Sequence, residues 1–447
     1  MAVMQPLKSL TLRQNFSWTF VGNIIYAASQ WGMLVVLAKL GSPEMVGQFT
    51  LGLAVTAPII LFSNLQLRQI QTTDVSQQYL FGDYLGLRLI CIGLSLPLIL
   101  IITINAGYRW ETSLVILVIG LSKVIESISD IFHGLFQYHE RMDRIAISLM
   151  IKGPLSLLML GIGIYLSGTV IGGAIGLAVI WTIVLIFYDI PSGAAILRAA
   201  TANIETAEIF QQQSTIHNRH LLPRFNFSKL RSLVGLSLPL GFVMMLISLN
   251  ANIPRYFIEH HLGERELGIF SALSYLMVAG AIVVSALGQS ASPRLAKYYA
   301  AGNSKDFQQL LLKTVLIGAL LGGISVLMAA IAGKEILTIL YRPEYAQQVY
   351  LFILLMVAAG VGYVASFLGY AMTAAQYFRV QMPLFTIVTA ISALFCYLLV
   401  PTQGLIGAAI ALIVGAIVQF IFSLGVIFYA LYKLDKYPHP TKPNSID

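Results

Sequence analysis

Twelve long, predominantly apolar stretches recur along the chain, near residues 15–39, 45–66, 84–106, 112–136, 145–166, 169–189, 234–257, 267–290, 309–332, 346–373, 380–400 and 404–432. A hydrocarbon core about 30 Å thick is crossed by a helix of roughly 20 apolar residues. Only helices and closed barrels satisfy every backbone polar group inside it. Barrel strands alternate apolar and polar residues, whereas these stretches are continuous, so the predicted fold is an all-α integral membrane protein with twelve transmembrane helices. The composition leaves no room for another class. Of 447 residues, 57% are apolar and 10% charged, against about 25% charged in a soluble domain. A soluble enzyme and a large extramembrane catalytic domain are both excluded.

The first stretch is too long for a signal-peptide core, and no small-residue cleavage site follows it, so it reads as a retained first span. Cys91 and Cys396 both fall in apolar stretches and read as small core hydrophobes, with neither a disulfide framework nor a metal site suggested. The one long polar segment, 191–232, holds Arg198, Arg219, Arg224, Lys229 and Arg231 with Gln211, Gln212 and Gln213. It divides the chain into a six-helix lobe over 15–190, a linker over 191–232 and a second six-helix lobe over 233–433.

Orientation follows from the basic residues. With the N-terminus inside, seventeen of the 27 Lys and Arg residues fall on inner segments, six on outer loops and four within spans. This bias places both termini in the cytoplasm. The net charge of +8 is accounted for by the same bias and by contact with anionic membrane lipids; no nucleic-acid partner is indicated.

Two segments repeat half a chain apart. Leu40-Gly41 leads into Gly47-Gln48-Phe49-Thr50-Leu51, and Leu262-Gly263 leads into Gly268-Ile269-Phe270-Ser271-Ala272. Ile171-Gly172-Gly173-Ala174-Ile175-Gly176-Leu177 matches Ile406-Gly407-Ala408-Ala409-Ile410-Ala411-Leu412. The first pair lies between spans one and two of each half, the second in each half's last span. Six is even, so both halves start on the same side and the repeat is parallel, an arrangement suited to transporters that move one lobe against the other. The Gly/Ala runs read as close-packing seams within each lobe.

On these residues the sequence resembles Wzx-type polysaccharide flippases of the multidrug/oligosaccharidyl-lipid/polysaccharide exporter superfamily. The Leu-Gly-x-x-x-x-x-Gly-x-Phe block after span one, the Gly407–Ala411 run and the Asn252-Ile253-Pro254-Arg255-Tyr256 stretch are its marks. The resemblance implies two six-helix lobes around a central cavity and a polyprenyl-pyrophosphate-linked oligosaccharide as substrate, flipped from the inner to the outer leaflet by alternating access. It also implies a bacterial plasma (inner) membrane location and work alongside glycosyltransferases and a polysaccharide polymerase. Cofactors are not implied.

Each charge inside the membrane calls for a reason, because at mid-bilayer it costs on the order of 2.5–3.5 kcal/mol. Span four holds Lys123, Glu126, Asp130, His133 and Gln137, whose spacing of 3, 4, 3, 4 puts all five on one helical face. At about 1.5 Å per residue, Asp130 and Arg88 lie at similar depth, as do Glu126 and Lys152. Arg88–Asp130 and Lys152–Glu126 are the expected pairs, with Lys123 left as the unpaired cation near the midplane. Two readings stand. Arg88, Glu126 and Lys152 are paired struts, or with Lys123 they line a cationic cavity for a pyrophosphate, Lys as a point charge and Arg as a bidentate donor. Glu126 and Asp130 are candidates for a coupling proton or ion. Arg68 and Arg255 either anchor span ends or contact a headgroup at the cavity mouth. Trp18, Tyr26 and Trp31 of span one read as packing or interfacial residues, with sugar contact as the alternative.

Two other functions are weighed. A multidrug exporter of the same superfamily favours an acid-dominated cavity, and span one has no acidic residue. A membrane-embedded glycan polymerase or glycosyltransferase calls for an Asp-x-Asp pair, a large outer loop or clustered histidines. None of these is present; the His260-His261 pair reads as a solvated loop feature, and no catalytic or metal-ligating residue is assigned.

Overall fold

The computed structural model describes residues 10–74, 78–205 and 221–436, and all regular structure among them is helical. The helices are α1 Leu12–Leu40, α2 Pro43–Asn64, α3 Leu67–Thr73, α4 Phe81–Asn105, α5 Trp110–Tyr138, α6 Met142–Ser167, α7 Val170–Val184, α8 Ile190–Glu205, α9 Phe227–Leu262, α10 Glu264–Ala300, α11 Ser304–Leu340, α12 Val349–Ala374 and α13 Phe378–Lys436. A π-helical turn, Leu185–Asp189, joins α7 to α8, and a 3-10 turn, Tyr345–Gln348, precedes α12. Among the described residues ten helices are long and apolar enough to cross a membrane. This is a multi-pass membrane protein.

The ends of these helices are written locally. Thr11 and Gln14 form a reciprocal capping box at the start of α1. Ser42 caps α2, with Pro43 at its first position, where the missing N–H costs nothing. Thr169 caps α7 after Gly168, which ends α6 in the left-handed region at φ 67°. The two Leu-Gly motifs of the repeat both mark helix junctions: Leu40-Gly41 separates α1 from α2, and Leu262-Gly263 separates α9 from α10. The 59-residue α13 is two helical pieces across a kink at Gly404, whose φ of 60° and ψ of −136° suit only glycine.

The chain divides into two compact units, Met1–Ser248 and Leu249–Asp447, and the division falls within α9. In the first unit α1 packs on α6, α2 on α5, and α7 on both α5 and α6. The Gly/Ala run of α7 is a close-packing seam: a Cβ at Gly163 would collide with the Gly172 carbonyl, and one at Gly176 would lie 2.7 Å from the Met159 carbonyl oxygen. In the second unit α12 packs against α10, α11 and α13, and Gly322 of α11 meets Gly360 of α12 backbone to backbone.

The polar 191–232 segment is helical at both ends, through α8 and the start of α9. Between them residues 206–220, with Gln211, Gln212, Gln213 and Arg219, lie outside the described residues. Leu230 and Leu233 of α9 are buried with Phe81, Leu85, Phe132 and Leu135 in a core of the first unit. Cys396 is buried and Cys91 partly so, both as free thiols.

Candidate functional site

The polar stripe of α5 faces protein. Lys123, Glu126, Asp130 and His133 line a cavity of about 470 Å³ within the first unit, together with Arg68 of α3 and Lys152 of α6. Thr19, Asn23 and Tyr26 of α1, with Ile60, Leu61 and Asn64 of α2, complete much of the wall. The size falls in the range of small-molecule sites, about 300–1,000 Å³.

Asp130 is shared by two arginines. Arg88, fully buried, donates from Nη2 to Asp130 Oδ2 at 3.1 Å and from Nη1 to Asn64 Oδ1. Arg68 donates from Nη1 to Asp130 Oδ1 at 3.3 Å, and from Nε and Nη2 to Gln137 Oε1 at 3.1 and 3.0 Å. Gly134 explains how Arg68 gets there. Asp130, Gly134 and Gln137 lie on one face of α5, and a Cβ at position 134 would sit 3.3 Å from Arg68 Cγ and collide with Gln71. The glycine leaves a notch in which the arginine stem lies, so its planar fork reaches one turn either way. The expected Arg88–Asp130 pair is present; Arg68, read from sequence as a span anchor or a mouth residue, joins it.

The other expected pairings change. Lys123 is not the unpaired cation: its Nζ donates to Glu126 Oε2 at 2.8 Å and stands 4.9 Å from the centroid of the Trp181 ring. The physical reason is local, since a three-residue spacing on one helix brings the two groups together. Tyr26 Oη donates to the other oxygen of Glu126 at 2.8 Å. Lys152 does not meet Glu126 directly; its ammonium lies 3.6 Å from Asp189 Oδ2, and both side chains are buried. His133 Nε2 lies 3.7 Å from Asp189 Oδ1 and 3.3 Å from Ser148 Oγ.

Asp189 is the residue that sequence reasoning missed. It sits at the end of an otherwise apolar span and on no visible stripe. The π turn that ends with it adds a residue to the helical register, rotating the succeeding helix, α8, by about 100° relative to an unbroken one. The carboxylate so placed lies beside α5 and α6, where it draws Lys152 away from Glu126.

Four bases, Arg68, Arg88, Lys123 and Lys152, thus meet three carboxylates, Glu126, Asp130 and Asp189. The balance of this network is positive by one with His133 neutral. Because Asp130 serves two guanidinium groups, the surplus is shared by Arg68 and Arg88. Of that pair only Arg68, with 31% of its side chain exposed, opens to the cavity. Arg255, in the second unit, is bonded to Asn252 one turn earlier on α9. Trp18 and Trp31 are partly exposed and do not line the cavity, whereas Tyr26 does.

Known proteins share both sequence and fold with this chain. Among solved structures of low identity, an inward-facing multidrug resistance MATE family transporter of the MOP superfamily superposes with a TM-score of 0.67 at 16% identity, over 92% of this chain and 98% of that one. The lipid II flippase MurJ, in an inward closed conformation, also gives 0.67, at 12% identity, over 94% of this chain and 90% of that one. These likenesses show that the chain shares the helical fold of those two proteins. The capsular polysaccharide biosynthesis protein CapF of Staphylococcus aureus is 29% identical over 429 residues, covering 94% of this chain and 99% of that protein. The model of the family described as polysaccharide biosynthesis protein matches residues 12–299, well over half of the chain, so this protein belongs to the polysaccharide biosynthesis protein family.

Proposed function

We propose that the protein is a flippase that moves a polyprenyl-pyrophosphate-linked oligosaccharide from the inner to the outer leaflet of a bacterial plasma membrane by alternating access. The observation behind this reading is the surplus positive charge at Arg68, on a cavity large enough for a phosphorylated headgroup and walled by hydrogen-bonding groups. A pyrophosphate there would accept from the arginine fork, Lys123 would contribute a point charge, and Tyr26, Asn23 and Thr19 would meet sugar hydroxyls. Membership in a polysaccharide biosynthesis family and the lipid II flippase activity of a structural relative support the same substrate class.

The span count belongs to this reading. The ten apolar helices become twelve when α13 is taken as two spans across Gly404 and α5 as a further one. At 1.5 Å per residue α13 is roughly 90 Å long, about three hydrocarbon thicknesses, and α5 is roughly 44 Å. The basic residues then place both termini in the cytoplasm, with lobes over 15–190 and 233–433. Glycosyltransferases would supply the substrate on the inner face and a polymerase consume it outside. Glu126 and Asp130, each already bonded to a base, remain the groups proposed for ion or proton coupling. Arg255 is proposed as a headgroup contact.

The test is the leaflet distribution of the lipid-linked glycan in cells with and without the protein. Loss of the protein is expected to trap glycan in the inner leaflet, and Arg68→Ala or Lys123→Ala at normal membrane levels to slow its appearance outside by about tenfold or more. Normal outward delivery without the protein, in cells lacking a redundant flippase and newly sensitive to cationic drugs, would establish multidrug export instead.

A further inference from the structure

Between α2 and α3 the backbone does something that side chains resist. Leu65 and Gln66 are consecutive non-glycine residues in the left-handed region, at φ 49° and φ 52°. Such residues persist only where surrounding structure over-determines them, and they gather at functional sites. Here the surroundings are identifiable. Leu65 is buried, its N–H donates to the Phe62 carbonyl, and the Gln66 carbonyl accepts from Gln69 and Ile70 as the first bonds of α3. Two residues beyond the break is Arg68. A continuous helix through 64–68 would carry that side chain elsewhere, so the break decides that the guanidinium reaches Asp130 and Gln137.

The break is seated against α9. A Cβ at Gly241 would lie 2.9 Å from Leu65 Cδ2 and 3.0 Å from the Phe62 carbonyl oxygen, and the Phe242 ring packs edge-on to Phe62 with centroids 5.0 Å apart. α9 is the helix that runs from the first compact unit into the second. We propose that Leu65 and Gln66 are positioning residues for Arg68, and that α9 sets them through Gly241 and Phe242. A displacement of α9 is then felt at the Arg68–Asp130 pair, and an anion held by Arg68 biases α9. The inference deepens the flippase reading, because it concerns the residue on which that reading turns.

The test uses the full chain in nanodiscs, with Cys91 and Cys396 replaced by Ala and spin labels at Thr73→Cys on α3 and Leu121→Cys on α5. Gly241→Ala and Gln66→Val, the latter β-branched and averse to φ above zero, are expected to shift or broaden the 73–121 distance. They should weaken binding of inorganic pyrophosphate about tenfold, within the range of coupling effects. Gln66→Gly, which takes the left-handed conformation freely, and Gly235→Ala, whose Cβ meets nothing within 4 Å, are expected to change neither. If Gly241→Ala fails to fold, Phe242→Ala replaces it, with the same broadening expected. An unchanged distance in Gly241→Ala and Gln66→Val, or equal effects of Gln66→Gly and Gln66→Val, would overturn the proposal. Failure of the unaltered protein to bind pyrophosphate counts against the flippase reading, while the label distances still decide the hinge.

Discussion

At the level of single residues the first unit holds two kinds of ion pair. Lys123–Glu126 and Arg68–Asp130 are partly exposed to the cavity, so solvent and ligand compete for them and their strength is modest. Lys152–Asp189 is buried on both sides. Removing one member of such a pair strands a charge away from water, at a cost of about 3–5 kcal/mol, whereas replacing both with apolar groups is often neutral. Asp189→Asn is therefore expected to lower the thermal unfolding midpoint of the purified protein sharply. The double substitution Lys152→Met with Asp189→Leu should recover most of the loss. A single Asp189→Asn that unfolds like the parent would mean that the buried pair does not stabilise the fold. The sequence stripe on α5 revealed five charged or polar side chains, Lys123, Glu126, Asp130, His133 and Gln137, since a 3.6-residue period is local information. Arg88 was legible as the partner of Asp130, but Arg68, Tyr26 and Asp189 were not: they come from other helices, and matched depth along parallel spans does not say which neighbours touch.

Among the helices, glycine decides how closely axes approach. The α6–α7 seam brings Gly163 against the Gly172 backbone and Gly176 against Met159, and helix association in a bilayer rests on such contacts because lipid is as apolar as leucine. Gly163→Val is expected to destabilise the protein by about 1–3 kcal/mol through overpacking. Gly93→Ala, on the exposed face of α4 with nothing within 4 Å of its Cβ, should stay within about 0.5 kcal/mol. Detergent-solubilised thermal unfolding distinguishes them; equal midpoints would show that the seam yields. The repeated Gly/Ala motif announced this seam from the sequence. Gly134 was not announced, because a lone glycine in a helix has no periodic partner and gains meaning only when Arg68 from α3 is laid across it.

Across the whole molecule, the proposed topology rests on the apolar stretches, the distribution of basic residues and the repeated motifs taken together. A parallel repeat of six helices is consistent only with both termini on one side. Single cysteines in a background with Cys91 and Cys396 replaced test this. Arg109→Cys, between α4 and α5, is expected to react with a membrane-impermeant maleimide in intact cells, and Lys305→Cys, at the start of α11, only after permeabilisation. Reaction of both in intact cells, or the reverse pattern, would contradict the proposed topology.

Where the helices lie, how many apolar stretches there are, where glycines seam them, and that charges fall inside the spans of the first half more than inside those of the second can all be read along the chain. Each depends on short-range properties: hydropathy over some 20 residues, helical period and capping side chains. Apart from the local Lys123–Glu126 pair, which charges meet is settled in three dimensions. The fold places Asp189 by a π turn, routes Arg68 through two left-handed residues into the notch at Gly134, and moves the surplus charge from Lys123 to the arginines around Asp130. Those outcomes depend on which helix faces which and on one-residue changes of register. No pattern along a single helix encodes them, because each contact is an agreement between segments tens of residues apart.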